Sequence, residues 1–150
     1  MRAGGGLAYG RGVLKVQVWI LNSRTSEVLL LKTQERGEHG SFWQPVTGSV
    51  EEGETLEQAA LREATEETAL RFAGPPRSLD YSFEFEGWGK LRRETAFWLE
   101  TAEGREKLEV KLDPKEHKDF RWAPIKQAEG ELKFETNREA LRLLAKKKGI

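Results

Sequence analysis

Apolar positions along the chain change period several times, and each change marks an element. Val13 to Leu21 and Val28 to Leu31 are Val-, Leu-, Ile- and Trp-rich runs around the polar cluster Asn22-Ser23-Arg24-Thr25-Ser26, which predicts a β-hairpin. A polar loop follows from Thr33 to Ser41. Phe42 to Val50 is broken by Pro45 and Gly48 and reads as strand and turn. From Thr55 the pattern becomes helical. Thr55 and Gln58 form a capping-box signature, Glu54 and Glu57 suit the positive end of a helix dipole, and good helix formers continue to Ala69. Gly74-Pro75-Pro76 forbids continuation. Tyr81, Phe83 and Phe85 alternate with polar residues as in a half-buried strand, Gly87-Trp88-Gly89 turns, and Thr95 to Leu99 is a further strand. Leu108, Val110 and Leu112 alternate again. Phe120 to Ala123 is a short strand stopped by Pro124, and a last helix runs from Thr136 to Lys147.

This order predicts an α+β fold: an α/β/α sandwich with a mixed sheet, a central helix and a C-terminal helix. The glycine-rich residues 1–12 read as a flexible leader, and 13–150 as a single domain. The 25 basic and 25 acidic residues balance, so no global field advertises a nucleic-acid partner. No apolar run is long enough to span a bilayer. The absence of cysteine excludes disulfides and thiolate metal sites and fits a reducing cytoplasm. His39 and His117 are too few and too far apart in sequence to suggest zinc.

The chemistry concentrates in Gly48-x5-Glu54-x7-Arg62-Glu63-x2-Glu66-Glu67. At about 100° per residue, Glu63, Glu66 and Glu67 share roughly a third of the helix circumference, while Leu61, Ala64 and Thr68 face elsewhere. Carboxylates at this spacing repel one another unless a cation lies between them. Their hard oxygens suit Mg²⁺, or Mn²⁺ in its place. Arg62 stands four residues before Glu66 and can orient it. A Glu-rich face is more often merely solvated. Six fixed residues at these spacings make accident a poor account.

Gly48 to Leu70 resembles the signature box of the Nudix hydrolases, which cleave nucleoside diphosphates linked to another moiety. One position departs: Ala69 stands where the pattern expects a glycine, implying another helix ending or strain of about 1 kcal/mol. Phe42 to Thr55, Glu116-His117 with Trp122, and Asn137-Arg138-x-Ala140 are similar to a branch whose bacterial members act on dihydroneopterin triphosphate and dATP. The resemblance implies an enzyme holding Mg²⁺ through Glu63, Glu67, Glu116 and the carbonyl of Gly48, with Glu66 as a further ligand or the partner of Arg62. It also implies metal-assisted hydrolysis of a (deoxy)nucleoside or pterin triphosphate to pyrophosphate and a monophosphate, with Glu66, Glu63 or Glu116 as base. Lys32, Arg36 and His39, around the loop before the box, are candidates to hold phosphates, against a reading as solvated loop charges. Thr47 is a candidate substrate contact, and Phe83 a candidate stacking residue on a face that otherwise reads as core. The same-fold alternatives act on nucleoside diphosphate sugars, dinucleoside polyphosphates or 5′-triphosphate RNA ends. A non-catalytic nucleotide sensor and a partner-binding domain with an acidic face are the alternatives of other classes.

Overall fold

The computed structural model describes residues 13–87, 89–106 and 108–150. The leader expected over 1–12 and Trp88 of the expected turn lie outside them. The strands are β1 (Val13–Leu21), β2 (Glu27–Thr33), β3 (Trp43–Gln44), β4 (Val46–Ser49), β5 (Arg77–Gly87), β6 (Lys90–Glu100) and β7 (His117–Pro124). The α-helices are α1 (Leu56–Thr68), α2 (Ile125–Glu131) and α3 (Glu135–Lys148), with a 3₁₀ turn at Gly37–His39. The strands form one mixed sheet running β3-β2-β1-β6-β5, with β4 also paired to β1 and β7 to β2.

Strand alternation assigns the two faces. Val16, Val18, Ile20, Leu29 and Leu31 pack with Ala59, Ala60 and Ala64 of α1, whose small side chains let the helix approach closely. Trp19, Leu21, Val28, Leu30, Ala96 and Trp98 pack on the other face against Ala128 of α2 and Ala140, Leu141 and Leu144 of α3. Each buried Leu, Val or Ile contributes about 1.5–3 kcal/mol relative to exposure. The two clusters hold a helix on either side, which is the expected sandwich.

The expected hairpin is closed only at its tip. β1 and β2 pair at Leu21↔Val28, and the side-chain oxygen of Asn22 caps the turn by accepting from the backbone of Arg24. Beyond that the arms part, because β1 has better partners: parallel β6 along Val13–Leu21 and antiparallel β4 along Lys15–Val18. The segment from Trp43 to Ser49 bridges the resulting mouth, pairing first with β2 and then, past Pro45, with β1.

Two further expectations change. Residues 108–112 alternate as read, with Val110 buried, but they form no strand. Their backbone is used elsewhere: the Lys111 amide donates to the Thr68 carbonyl at the end of α1, and the Leu108 carbonyl accepts from the Trp122 indole. Pro124 does end β7, yet it then caps a second helix, α2, which buries Ile125 and Ala128.

The capping box of α1 is formed in both directions. At its other end Ala69 adopts φ 58° and ψ 20°, the left-handed conformation in which a Cβ is strained. Ala69→Gly is therefore expected to raise stability by about 1 kcal/mol, or roughly 2–4 °C in Tm. A thermal melt that shows no gain would mean that the strain is absent.

Candidate active site

Arg62 is the hub that joins α1 to the loop before it. Its Nε and one terminal nitrogen grip both oxygens of Glu54, at 2.6 and 3.1 Å, and that second nitrogen also donates to the Ser49 carbonyl at 2.9 Å. Its other terminal nitrogen donates to Glu63 at 3.1 Å and Glu66 at 3.2 Å. Glu54 also accepts from the Glu51 amide. The guanidinium is thus surrounded by acceptors, which holds Glu54 below the usual carboxylate range, chiefly through Arg62. A planar five-donor fork can do this where a lysine cannot.

Glu63 turns back under β4. A Cβ on Gly48 would overlap the Glu63 carboxyl, so only glycine admits that side chain here. Glu67 is 6% exposed. Burial first, then the neighbouring Glu63 carboxylate, then the charge of Glu116, push its carboxyl up to about 10, with Arg36 opposing. These acids converge, and without a cation Glu67 keeps its proton at neutral pH.

His117, 2% exposed, stands behind Glu67, its Nδ1 3.6 Å from Glu67 Oε1, and neither atom has a hydrogen-bond partner among the described residues. The Gln44 amide lies 3.3 Å from His117 Nε2. With Gln44 donating there, the ring proton sits on Nδ1 and faces Glu67. Burial first, then Arg36, lower the imidazole to about 4. In the sequence His117 is marked only by its place beside Glu116 in the stretch that carries the resemblance, which implies no role for its ring. A depressed folded pKa means that the unfolded chain takes up this proton first as pH falls. The contribution of the neutral His117 to stability, whole above pH 6.5, should be lost towards about pH 4, by about 3 kcal/mol, while the proton kept by Glu67 works the other way above about pH 4.5. His117→Gln should gain stability relative to the wild type as pH falls over that interval; parallel curves for the two would remove the buried neutral ring from the account.

The donor set fits a hard divalent ion. Glu63 and Glu67 meet beside the Gly48 backbone, one Glu67 oxygen is buried and unpaired, and Glu116 acts on Glu67 from a turn hydrogen-bonded to the Gln34 amide. Among the described residues no three acidic, His or Cys side chains already form a closed cage. Glu66 is largely exposed and points with Arg62. Arg36 reaches the carboxylates electrostatically and stacks over Phe42. His39 packs edge-on against Phe42 and Phe134. The other candidates stand on the α3 side of the sheet. Lys32 lies over Trp43, Thr47 pairs with Gln17, and Phe83 pairs with Glu94 between Tyr81 and Phe85.

Among the described residues no helix is long and apolar enough to cross a membrane. The NUDIX domain matches residues 13–145. The chain is 34% identical over 139 residues to dihydroneopterin triphosphate diphosphatase of Escherichia coli, covering 85% of this chain and 89% of that one. A solved structure of the E. coli dihydroneopterin triphosphate pyrophosphohydrolase superimposes with a TM-score of 0.68 at 29% identity, over 86% of this chain and 92% of that one. An octanoyltransferase of Myxococcus xanthus is 34% identical over 132 residues; the chain spans only 35% of that protein's length. The glutamate helix, the sandwich around it and the extent of these matches agree: this chain belongs to the Nudix hydrolases and is an enzyme of the pyrophosphohydrolase kind.

Proposed function

We propose that the protein hydrolyses a phosphoanhydride of dihydroneopterin triphosphate or a (deoxy)nucleoside triphosphate, in the cytoplasm and with Mg²⁺ (Mn²⁺ substituting), releasing pyrophosphate and the monophosphate. The observation that carries this reading is the placing of Glu63 against the Gly48 backbone beside the buried Glu67, one of whose oxygens has no hydrogen-bond partner among the described residues, with the charge of Glu116 reaching it. The similarity to dihydroneopterin triphosphate diphosphatases supports the choice of substrate.

Glu63, Glu67, Glu116 and the Gly48 carbonyl would hold Mg²⁺. When bound, it acidifies water and neutralises phosphate charge. The chain's own residues set the geometry. Arg62 fixes Glu63 and Glu66 against the Ser49–Glu54 loop, so the acids need little reorganisation. Gln44 and His117 back Glu67 with a neutral donor. Arg36 is placed to meet a phosphate beside the carboxylates. Glu63, Glu66 or Glu116 takes the proton of the attacking water, which approaches phosphorus in line with the leaving oxygen.

A substrate panel with Mg²⁺, scored for pyrophosphate against orthophosphate, tests the proposal. It should include dihydroneopterin triphosphate, dATP and other nucleotides, ADP-ribose, diadenosine polyphosphates and 5′-triphosphate RNA. Pyrophosphate from the first two groups is expected. Turnover confined to a diphosphate sugar, with no pyrophosphate formed, would overturn the substrate and leave the reaction type.

A further inference from the structure

The face of the sheet opposite α1 carries an acid that the proposed hydrolysis does not use. Glu94 of β6 is 6% exposed, and burial raises its carboxyl above the usual range, with Gln17 and Lys15 opposing. Its orientation is settled by a relay. The indole nitrogen of Trp19 can only donate, and it donates to Gln17 Oε1 at 2.6 Å. The Gln17 amide nitrogen must then point the other way, where it donates to Glu94 Oε2 at 2.9 Å. Glu94 Oε2 is thereby an acceptor. Its other oxygen takes part in no hydrogen bond among the described residues.

The surroundings suit a flat ring. Phe83 pairs directly across from Glu94 and continues the ladder Tyr81–Phe83–Phe85, with ring centroids 5.6 and 5.9 Å apart. Tyr81 packs against the apolar cluster to which α3 contributes Ala140, Leu141 and Leu144, so the helix closes this side. Thr47 lies beside Gln17 on β4, next to Gly48. From β6 across β1 to β4 is two strand spacings, about 10 Å. Thr47 and Gly48 are successive residues on opposite faces of β4, which pairs only with β1 among the described strands. The atoms that join a ring on Glu94 to its phosphates would therefore pass round that edge to reach the carboxylates on the α1 side.

We propose that Glu94, oriented by the Trp19–Gln17 relay and flanked by Phe83, binds the substrate's heterocycle by accepting two adjacent N–H donors, as a pterin or guanine edge presents. The inference rests on the reading of the site as one for a heterocyclic triphosphate. An adenine ring offers one such donor beside an acceptor and fits less well.

Binding separates this inference from turnover. Calorimetric titration without divalent ion, using dGMP, dIMP and dAMP, is expected to rank dGMP tightest, because dIMP lacks the second donor and dAMP presents an acceptor. Glu94→Gln, nearly isosteric, should weaken dGMP by about 10- to 100-fold and dAMP by less than about 3-fold. In turnover the same variant should raise KM for dihydroneopterin triphosphate and dGTP with little change in kcat. Equal affinity of the wild-type chain for the three nucleotides would overturn the proposal, whether or not the variant folds. So would a uniform loss across them in the variant, the mark of a merely structural Gln–Glu pair. Failure to hydrolyse any triphosphate would sink the proposed function and leave the binding ranks to decide this one.

Discussion

Glu67→Gln is expected to lower kcat by at least about 10³-fold while leaving the metal-free protein as heat-stable as the wild type, or more so. The two effects have one cause. In the folded chain the Glu67 carboxylate is desolvated and faces the acids Glu63 and Glu116, so ionising it there is costly. An amide of the same shape removes that cost. It also removes the negative charge that helps to hold a cation and stabilise charge developing on phosphorus, a contribution worth several kcal/mol in the transition state. The sign with pH follows. Between about 4.5 and about 10 the folded state keeps the Glu67 proton that the unfolded chain has released, so stability falls as pH rises. Melts from pH 7 to 9, above the range of His117, should decline in metal-free wild type and not in Glu67→Gln. Mg²⁺ should reverse the wild-type decline. Near-normal turnover in the variant would remove Glu67 from the mechanism.

The second large effect is expected from one methyl group. Gly48→Ala should reduce kcat by about 10²-fold, the usual consequence of displacing a catalytic group by about an ångström. The new Cβ would occupy the space of the Glu63 carboxyl, which must swing away from the Gly48 backbone. Gly48 does not sit at positive φ, so the substitution tests that contact without backbone strain. A double-mutant cycle makes the point sharply. If alanine at 48 acts through Glu63, then Gly48→Ala combined with Glu63→Ala should be no slower than Glu63→Ala alone. Additive losses would mean that Gly48 acts some other way.

Both expectations lean on a helix that could be read directly from the residues. The capping box, the spacing of Glu63, Glu66 and Glu67, and the position of Arg62 are local features, and local features survive folding. Even the departure at Ala69 could be read, and the structure answers it with a left-handed residue rather than a different ending. What was hidden is non-local. Nothing in Val13–Leu21 indicates that β1 will prefer a parallel partner some eighty residues away to its own hairpin arm. Residues 108–112 carry a strand's alternation, but alternation reports burial and not whether a neighbouring strand exists. The helix after Pro124 is short and was masked by a residue that both ends a strand and caps a helix.

The same limit applied to the site. Arg62 was assigned to Glu66 by sequence spacing, yet its shortest bond is to Glu54, eight residues back, through a loop closure that spacing alone does not reveal. Lys32, Thr47 and Phe83 are far apart in sequence, and only strand parity places all three on the face away from α1. His117, Gln44, Gln17 and Glu94 are polar residues inside strands. Their importance comes from what they face, which no linear pattern records.

Crystals of the wild-type protein soaked in Mn²⁺ and measured for anomalous scattering would show directly where a divalent ion sits. The account predicts a peak bonded to carboxylate oxygens of Glu63 and Glu67 beside the Gly48 carbonyl, and lost in Glu67→Gln. An ion bound elsewhere, or no ion in an enzyme whose turnover ignores chelators, would contradict it.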